Sequence, residues 1–266
     1  MKTSLRRLPF TQGISLAALA YLYVPVLVLI AYSFNGNRTA TVWTEFSFAW
    51  YGRIVNNPSI QVAAMNSLLI AAVAAAVSTF IALLAALGSS RKFLGRALLE
   101  GAVSAPLILP EIVIAVATLL LFMALGIKLG IATIILAHIA FCIPFAYLPI
   151  RARLADMDRY IHEAALDLYA DRYTAFRRIT LPMLWPGILS GATLAFVSSL
   201  DDFITSFFLA GPGATTLPVY IFTSIRTGIT PEVNAISTVM VSVSILAVVA
   251  AFLIGRMGKS NDNKRQ

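Results

Sequence analysis

Long apolar runs, broken by charge only at wide intervals, dominate the chain. Four stretches of at least 20 residues, 14–34, 67–87, 129–150 and 235–255, contain no Asp, Glu, Lys or Arg. At a rise of about 1.5 Å per residue, each is long enough as a helix to cross a hydrocarbon core of about 30 Å. Two further runs are interrupted by acid alone: 102–125 contains Glu111, and 183–210 contains Asp201 and Asp202. Trimming these two to exclude the acids leaves pieces too short to span. The pattern predicts an all-α integral membrane protein with six transmembrane helices, at about 14–34, 67–87, 102–125, 129–150, 183–210 and 235–255, in a single domain over 1–266.

Composition agrees. Apolar types make up 59% of the 266 residues and charged types only 12%, against about a quarter charged in a soluble domain. Mean hydropathy is +0.85. The net charge of +8 comes without a long basic tract, so it argues for topology and against a nucleic-acid partner. With the N-terminus inside, the cytoplasmic pieces hold 16 of the 20 basic residues, and the outer pieces hold only Arg38, Arg53, Lys128 and Arg226. Basic residues collect on the cytoplasmic side of membrane proteins, so both termini are expected there. The first apolar run, at 21 residues with no A-x-A site after it, reads as a retained anchor and not as a signal core. One cysteine, Cys142, and two histidines leave no disulfide framework and no cysteine-rich metal site.

Three water-facing pieces remain. The outer segment 35–66 carries Trp43, Phe46, Phe48, Trp50 and Tyr51, a composition suited to lying along the membrane interface. The outer segment 211–234 opens on the turn-forming Gly211-Pro212-Gly213. The cytoplasmic loop 151–182 contains Ile161, Ala164, Ala165, Leu168 and Tyr169 at helical spacing. On pattern alone that short amphipathic helix either lies on lipid or caps the bundle, or it docks a protein. Five acids, Asp156, Asp158, Glu163, Asp167 and Asp171, weaken the headgroup reading.

The three intramembrane acids narrow the chemistry. An Asp at mid-bilayer costs about 2.5–3.5 kcal/mol on insertion scales, so Asp201 and Asp202 are not expected to face lipid together. Helix neighbours point about 100° apart, so one can face a cavity while the other pairs within the protein. With Glu111 added and no intramembrane Lys or Arg to neutralise them, the acids favour a cation path over a purely structural role. Phe203, Phe207 and Phe208 supply aromatic faces nearby, for cation–π contact or for lipid. Glu111 follows Pro110, with Pro106 one turn earlier. This marks either a broken helix lining the pathway or a helix entry near the headgroups. Gly187-x-x-x-Gly191 and the alanine-rich face of span 2 permit close helix packing. His138 and Cys142 lie one turn apart. Two ligands with no third nearby point to a hydrogen-bonded interior and not to a metal.

Glu163-Ala164-Ala165, then Ile179, then Leu181-Pro182 resemble the "EAA" loop of permease subunits of bacterial ATP-binding-cassette importers. The resemblance extends along nearly the whole chain, most closely to the second, smaller permease of polyamine (putrescine/spermidine) importers. It is carried by Ala31-Tyr32-Ser33-Phe34-Asn35, Thr41-Val42-Trp43, Trp50-Tyr51, Pro110-Glu111, Leu136-Ala137-His138, Ser199-Leu200-Asp201-Asp202 and Pro231-Glu232-Val233-Asn234. It implies a type I importer permease fold in the bacterial inner membrane. It also implies a homologous second permease, two ATPase subunits that bind the ATP and magnesium, and an external periplasmic binding protein, with membrane lipid around the spans. This chain itself is expected to hold no cofactor and to catalyse nothing. Glu163, Ala164, Ala165, Tyr169, Ile179, Leu181 and Pro182 are then the coupling elements that meet the ATPase. The family usually has glycine where this chain has Tyr169.

Other readings fit less of the chain. A permease for another cationic solute shares every feature above. A proton-coupled secondary transporter explains the acids but leaves the EAA loop unexplained, and no inverted repeat is visible. An intramembrane aspartyl enzyme needs acids on facing helices, which Asp201 and Asp202 cannot supply between themselves, though either could with Glu111. Gly258-Lys259-Ser260 imitates the end of a phosphate loop, but Leu253 stands where its first glycine belongs.

Overall fold

The computed structural model describes residues 9–37, 42–90, 93–157, 167, 169, 171–228 and 230–262. The apolar runs are helical and extend past the charge-free windows: α1 (Pro9–Tyr32), α3 (Pro58–Ser89), α6 (Ile131–Ala155), α7 (Arg172–Asp201) and α10 (Pro231–Asp262). Between them lie α2 (Ala49–Asn56), α4 (Arg96–Ile108), α5 (Glu111–Ala124), α8 (Ile204–Leu209) and α9 (Leu217–Thr227). Five described helices are long and apolar enough to cross a membrane, or six if α4 and α5 count as one span.

The two acid-bearing runs depart from straight spans. The run 102–125 is a bent pair in which α4 and α5 meet at 109°. Pro110 causes the break: it offers no amide hydrogen and pushes the preceding Leu109 into extended backbone, at φ −79° and ψ 141°. The run 183–210 is helical only to Asp201. Asp202 is extended at ψ 119°, and the chain re-forms a helix as α8. In both runs the acids sit at the breaks, where freed backbone groups are available to them.

The described residues within Met1–Gln61 and Ile221–Ser242 form one unit. In it, Asn35 ties residues 42–50 to the end of α1. Its Nδ2 donates to Val42 O at 2.7 Å, its Oδ1 accepts Thr44 N–H at 3.1 Å, and its carbonyl accepts Trp50 Nε1–H at 2.8 Å. A single antiparallel bridge joins Asn35 to Phe46. Phe34 stacks on Phe46 at 5.3 Å, and the Arg53 guanidinium lies 4.5 Å from the centre of the Trp50 ring.

Residues within Val62–Tyr220 and Val243–Gln266 form the other unit. Its core is a seam of small residues: Ala75, Ala82 and Ala86 of α3 meet Val103 of α4, Cys142, Ala146 and Ile150 of α6, and Ala195 of α7. α6 and α7 pack along their length because Gly191 lets the backbones touch; a methyl group there would sit 2.6 Å from Ala146 O. A second cluster, Ile70, Phe122, Ile134, Ala137 and Leu209, seats α8 against α5 and α6.

Candidate functional site

The two adjacent aspartates have different environments. Asp202 is buried, with 5% of its surface exposed. Its Oδ1 accepts the backbone N–H of Thr205 at 2.9 Å and of Ser206 at 3.4 Å, so the carboxylate caps α8 in place of the missing helical turn. Its Oδ2 lies 3.5 Å from His138 Nε2. His138, fully buried on α6, places Nδ1 2.7 Å from Ser199 Oγ and Nε2 3.2 Å from Ser206 Oγ. One imidazole therefore joins α6 to the end of α7, the break and α8.

Asp201 ends α7 and is exposed; its carboxylate lies 3.5 Å from Ser244 Oγ on α10, at the limit of a hydrogen bond. Phe203 follows the break, with its ring 5.3 Å from that of Phe207, which in turn meets Phe208 edge-on at 5.8 Å. Phe207 is 43% exposed and Phe203 half-buried. Glu111 is the first residue of α5 and half-buried; the Pro110 carbonyl accepts Val113 N–H at 2.9 Å. α5 packs against α8, so this unit brings the broken segment carrying Glu111 to the element that follows the aspartate pair. A carboxylate at a helix N-terminus is favoured by the helix dipole, and that also lowers the cost of leaving Glu111 within an apolar stretch.

His138 and Cys142 do not converge on a common ligand. Cys142 Sγ donates to Ala195 O at 3.4 Å and is fully buried, and both His138 nitrogens face serine hydroxyls. Among the described residues, no three groups of the His, Cys, Asp or Glu type gather as metal ligands. The sequence reasoning missed Ser199, Ser206 and Thr205 as partners of the buried acid. Their only signal is that small polar residues flank an acid within an otherwise apolar run.

Of the coupling elements, Glu163, Ala164 and Ala165 lie outside the described residues. Tyr169 is fully exposed and has φ +63°. This is the left-handed region that glycine enters without penalty and other residues avoid. Asp171 then caps α7. Its carboxylate accepts the Thr174 hydroxyl and the N–H groups of Thr174 and Tyr173, and these bonds hold it below the ordinary aspartate range. Ile179 lies in a π-helical turn (Phe176–Thr180), half-buried; Leu181 is half-buried and Pro182 exposed.

Residues 78–258 match the family of the binding-protein-dependent transport system inner membrane component. The chain is 40% identical over 262 residues to the Putrescine transport system permease protein PotI of Escherichia coli (strain K12), covering 95% of this chain and 93% of that one. It is 38% identical over 245 residues to the Spermidine/putrescine transport system permease protein PotC of the same strain, covering 92% and 93%. Among solved structures it is similar to a chain of a bacterial ABC transporter that imports the acidic polysaccharide alginate. There the TM-score is 0.74 at 16% identity, over 94% of both chains, a likeness of fold.

Proposed function

The chain belongs to the binding-protein-dependent transport system inner membrane component family and is the permease subunit of an ATP-driven importer; we propose that its load is a polyamine of the putrescine or spermidine type. The observation that carries this reading is the division of labour in the aspartate pair. Asp202 is buried and caps α8 through Oδ1, with Oδ2 3.5 Å from His138 Nε2, while Asp201 is exposed at the end of α7, in the same stretch of chain as the paired Phe203 and Phe207 rings. A polyamine carries ammonium groups separated by an apolar stem. Separated carboxylates such as Asp201 and Glu111, and aromatic faces such as Phe203 and Phe207, suit such a load. The relatives named for putrescine and spermidine transport support the same load.

The permease works with a homologous second permease, two ATPase subunits and an external binding protein. ATP and magnesium belong to the ATPase subunits, and this chain performs no chemistry on them. Glu163, Ala164 and Ala165 dock the ATPase, and Tyr169 shapes the turn that returns the loop to α7. The concentration of basic residues in the loop 151–182 and at both ends supports placing these, and both termini, in the cytoplasm. Alternating access then exposes Asp201 and Glu111 first to the receptor side and later to the cytoplasm. The reading is tested by putrescine and spermidine uptake in Asp201→Asn at normal expression, where a fall with intact receptor-stimulated ATP turnover is expected. Unchanged uptake would remove Asp201 from the pathway.

A further inference from the structure

At the basic end of the second unit, three helices are joined by one chain of polar side chains. Ser89 of α3 and Tyr147 of α6, both buried, share a hydrogen bond of 2.9 Å. Arg151, one turn beyond Tyr147, directs Nη1 to the Tyr147 hydroxyl and to Glu100 Oε1 of α4, each at 2.5 Å. Glu100 has a second partner, Arg96 Nε at 2.9 Å, on its own helix. About one turn beyond Glu100, Val103 of α4 packs into the core cluster that contains Tyr147 and Ile150.

The two ends of this chain of bonds lead to different machinery. α6 ends at Ala155 and α7 begins at Arg172, and Arg153 Nε binds Met183 O of α7 at 2.9 Å, so the two helices are held together at that point. α4 ends at the 109° bend that places Glu111 at the start of α5. Among the described residues, the Arg151–Glu100 bond is thus the polar side-chain link between α6 and α4, the helix that ends at the bend.

We infer that Arg151 is a positioning residue for transport. Its bond to Glu100 passes displacement of the end of α6, where Arg153 also holds α7, to α4 and so to the bend that carries Glu111. The inference rests on the importer reading above, but not on the identity of the load. An arginine suits the position because its planar fork holds a carboxylate and a hydroxyl in fixed directions at once. Glu100 itself is not left without a cation when Arg151 is lost, because Arg96 remains. Arg96→Gln removes a bond within one helix, while Arg151→Gln removes the bond between helices, and both delete one positive charge beside the same carboxylate.

The test uses the assembled importer in proteoliposomes with its ATPase and receptor. Two quantities are read: putrescine taken up per ATP hydrolysed, and thiol labelling of Ile112→Cys beside the bend, with and without ATP and vanadate. The native Cys142 is buried and leaves the label specific. Arg151→Gln is expected to lower uptake per ATP about fivefold, at the low end of coupling between sites, and to abolish the nucleotide-dependent change in labelling. Arg96→Gln should behave like the unsubstituted chain, and Arg151→Lys, which restores the charge to Glu100 but not the planar fork, should recover only part of the coupling. Should Arg151→Gln fail to assemble, Tyr147→Phe, which frees the same guanidinium from its hydroxyl, is expected to show a smaller loss of the same kind. Equal loss in Arg96→Gln and Arg151→Gln, unchanged coupling in Arg151→Gln, or a label that ignores nucleotide in the unsubstituted chain would each overturn the inference. If the unsubstituted importer takes up no putrescine, the load assignment falls, and the labelling still decides the role of Arg151.

Discussion

Replacing each aspartate of the pair by asparagine separates transport from architecture, because Asn keeps the size and the hydrogen-bonding oxygen and deletes only the charge. At position 201 the carboxylate is exposed and accepts a long hydrogen bond from Ser244 Oγ, 3.5 Å away. The charge is therefore available to an ammonium group. A hydrogen bond to a charged group is worth about 1.5–3 kcal/mol against about 1 kcal/mol for a neutral one. The difference of roughly 1.4 kcal/mol is about a tenfold loss of apparent affinity or transport rate in Asp201→Asn. At position 202 the oxygens are committed to Thr205 N–H, Ser206 N–H and the neighbourhood of His138. Asp202→Asn retains the cap but turns an amide or a weaker acceptor toward the imidazole. Asp202→Ala strands two buried N–H groups, at a cost of about 1–3 kcal/mol for each unsatisfied group. Both variants should lower the melting temperature and the yield of the assembled complex. Uptake of putrescine and spermidine is compared at matched membrane levels, together with receptor-stimulated ATP turnover and thermal stability in detergent. Asp201→Asn should lose uptake with unchanged stability, and Asp202→Ala should lose stability first. The reverse assignment, or unchanged uptake in both Asn variants, would refute the division of roles.

Four other substitutions probe the loop and the packing. Glu163→Lys should leave the chain inserted while ATPase recruitment, read by co-purification, is lost, because a reversed charge opposes the surface it docks on; normal recruitment would remove the coupling assignment. Tyr169→Gly should be tolerated in assembly and uptake, since it relieves a left-handed backbone conformation that costs a side-chain-bearing residue about 1–2 kcal/mol; loss of assembly would show that the exposed ring itself is needed. Gly211→Ala should reduce accumulation of the folded chain more than Gly191→Ala. The added methyl would sit 2.0 Å from Leu129 O in the first case and 2.6 Å from Ala146 O in the second, where overpacking costs about 1–3 kcal/mol or more. Quantitative membrane immunoblots rank the pair, and equal accumulation would contradict the close approaches.

The spans were legible because a hydrocarbon core leaves little freedom: a helix must be apolar over its whole crossing, and that shows in any window of the sequence. The breaks were half legible. Pro110 announces a disruption, but the 109° angle depends on how α5 packs against α6 and α8. Helical geometry says that Asp201 and Asp202 point apart. Which one turns inward depends on His138, Ser199 and Ser206, placed by the packing of α6 on α7, and no local pattern encodes that. The Tyr169 departure stood out in the sequence, whereas its left-handed backbone did not. Nor did the Arg151–Glu100 bond, because a basic residue at the cytoplasmic end of a span is expected for topology alone.

ATP-driven uptake of putrescine into proteoliposomes that hold this chain, isolated from its own membrane with whatever subunits accompany it, addresses the importer role most directly. Saturable uptake that needs ATP and the loaded receptor, with an ATPase present in the isolate, is expected. A chain that isolates alone and takes up the cation on a proton gradient without ATP would contradict it.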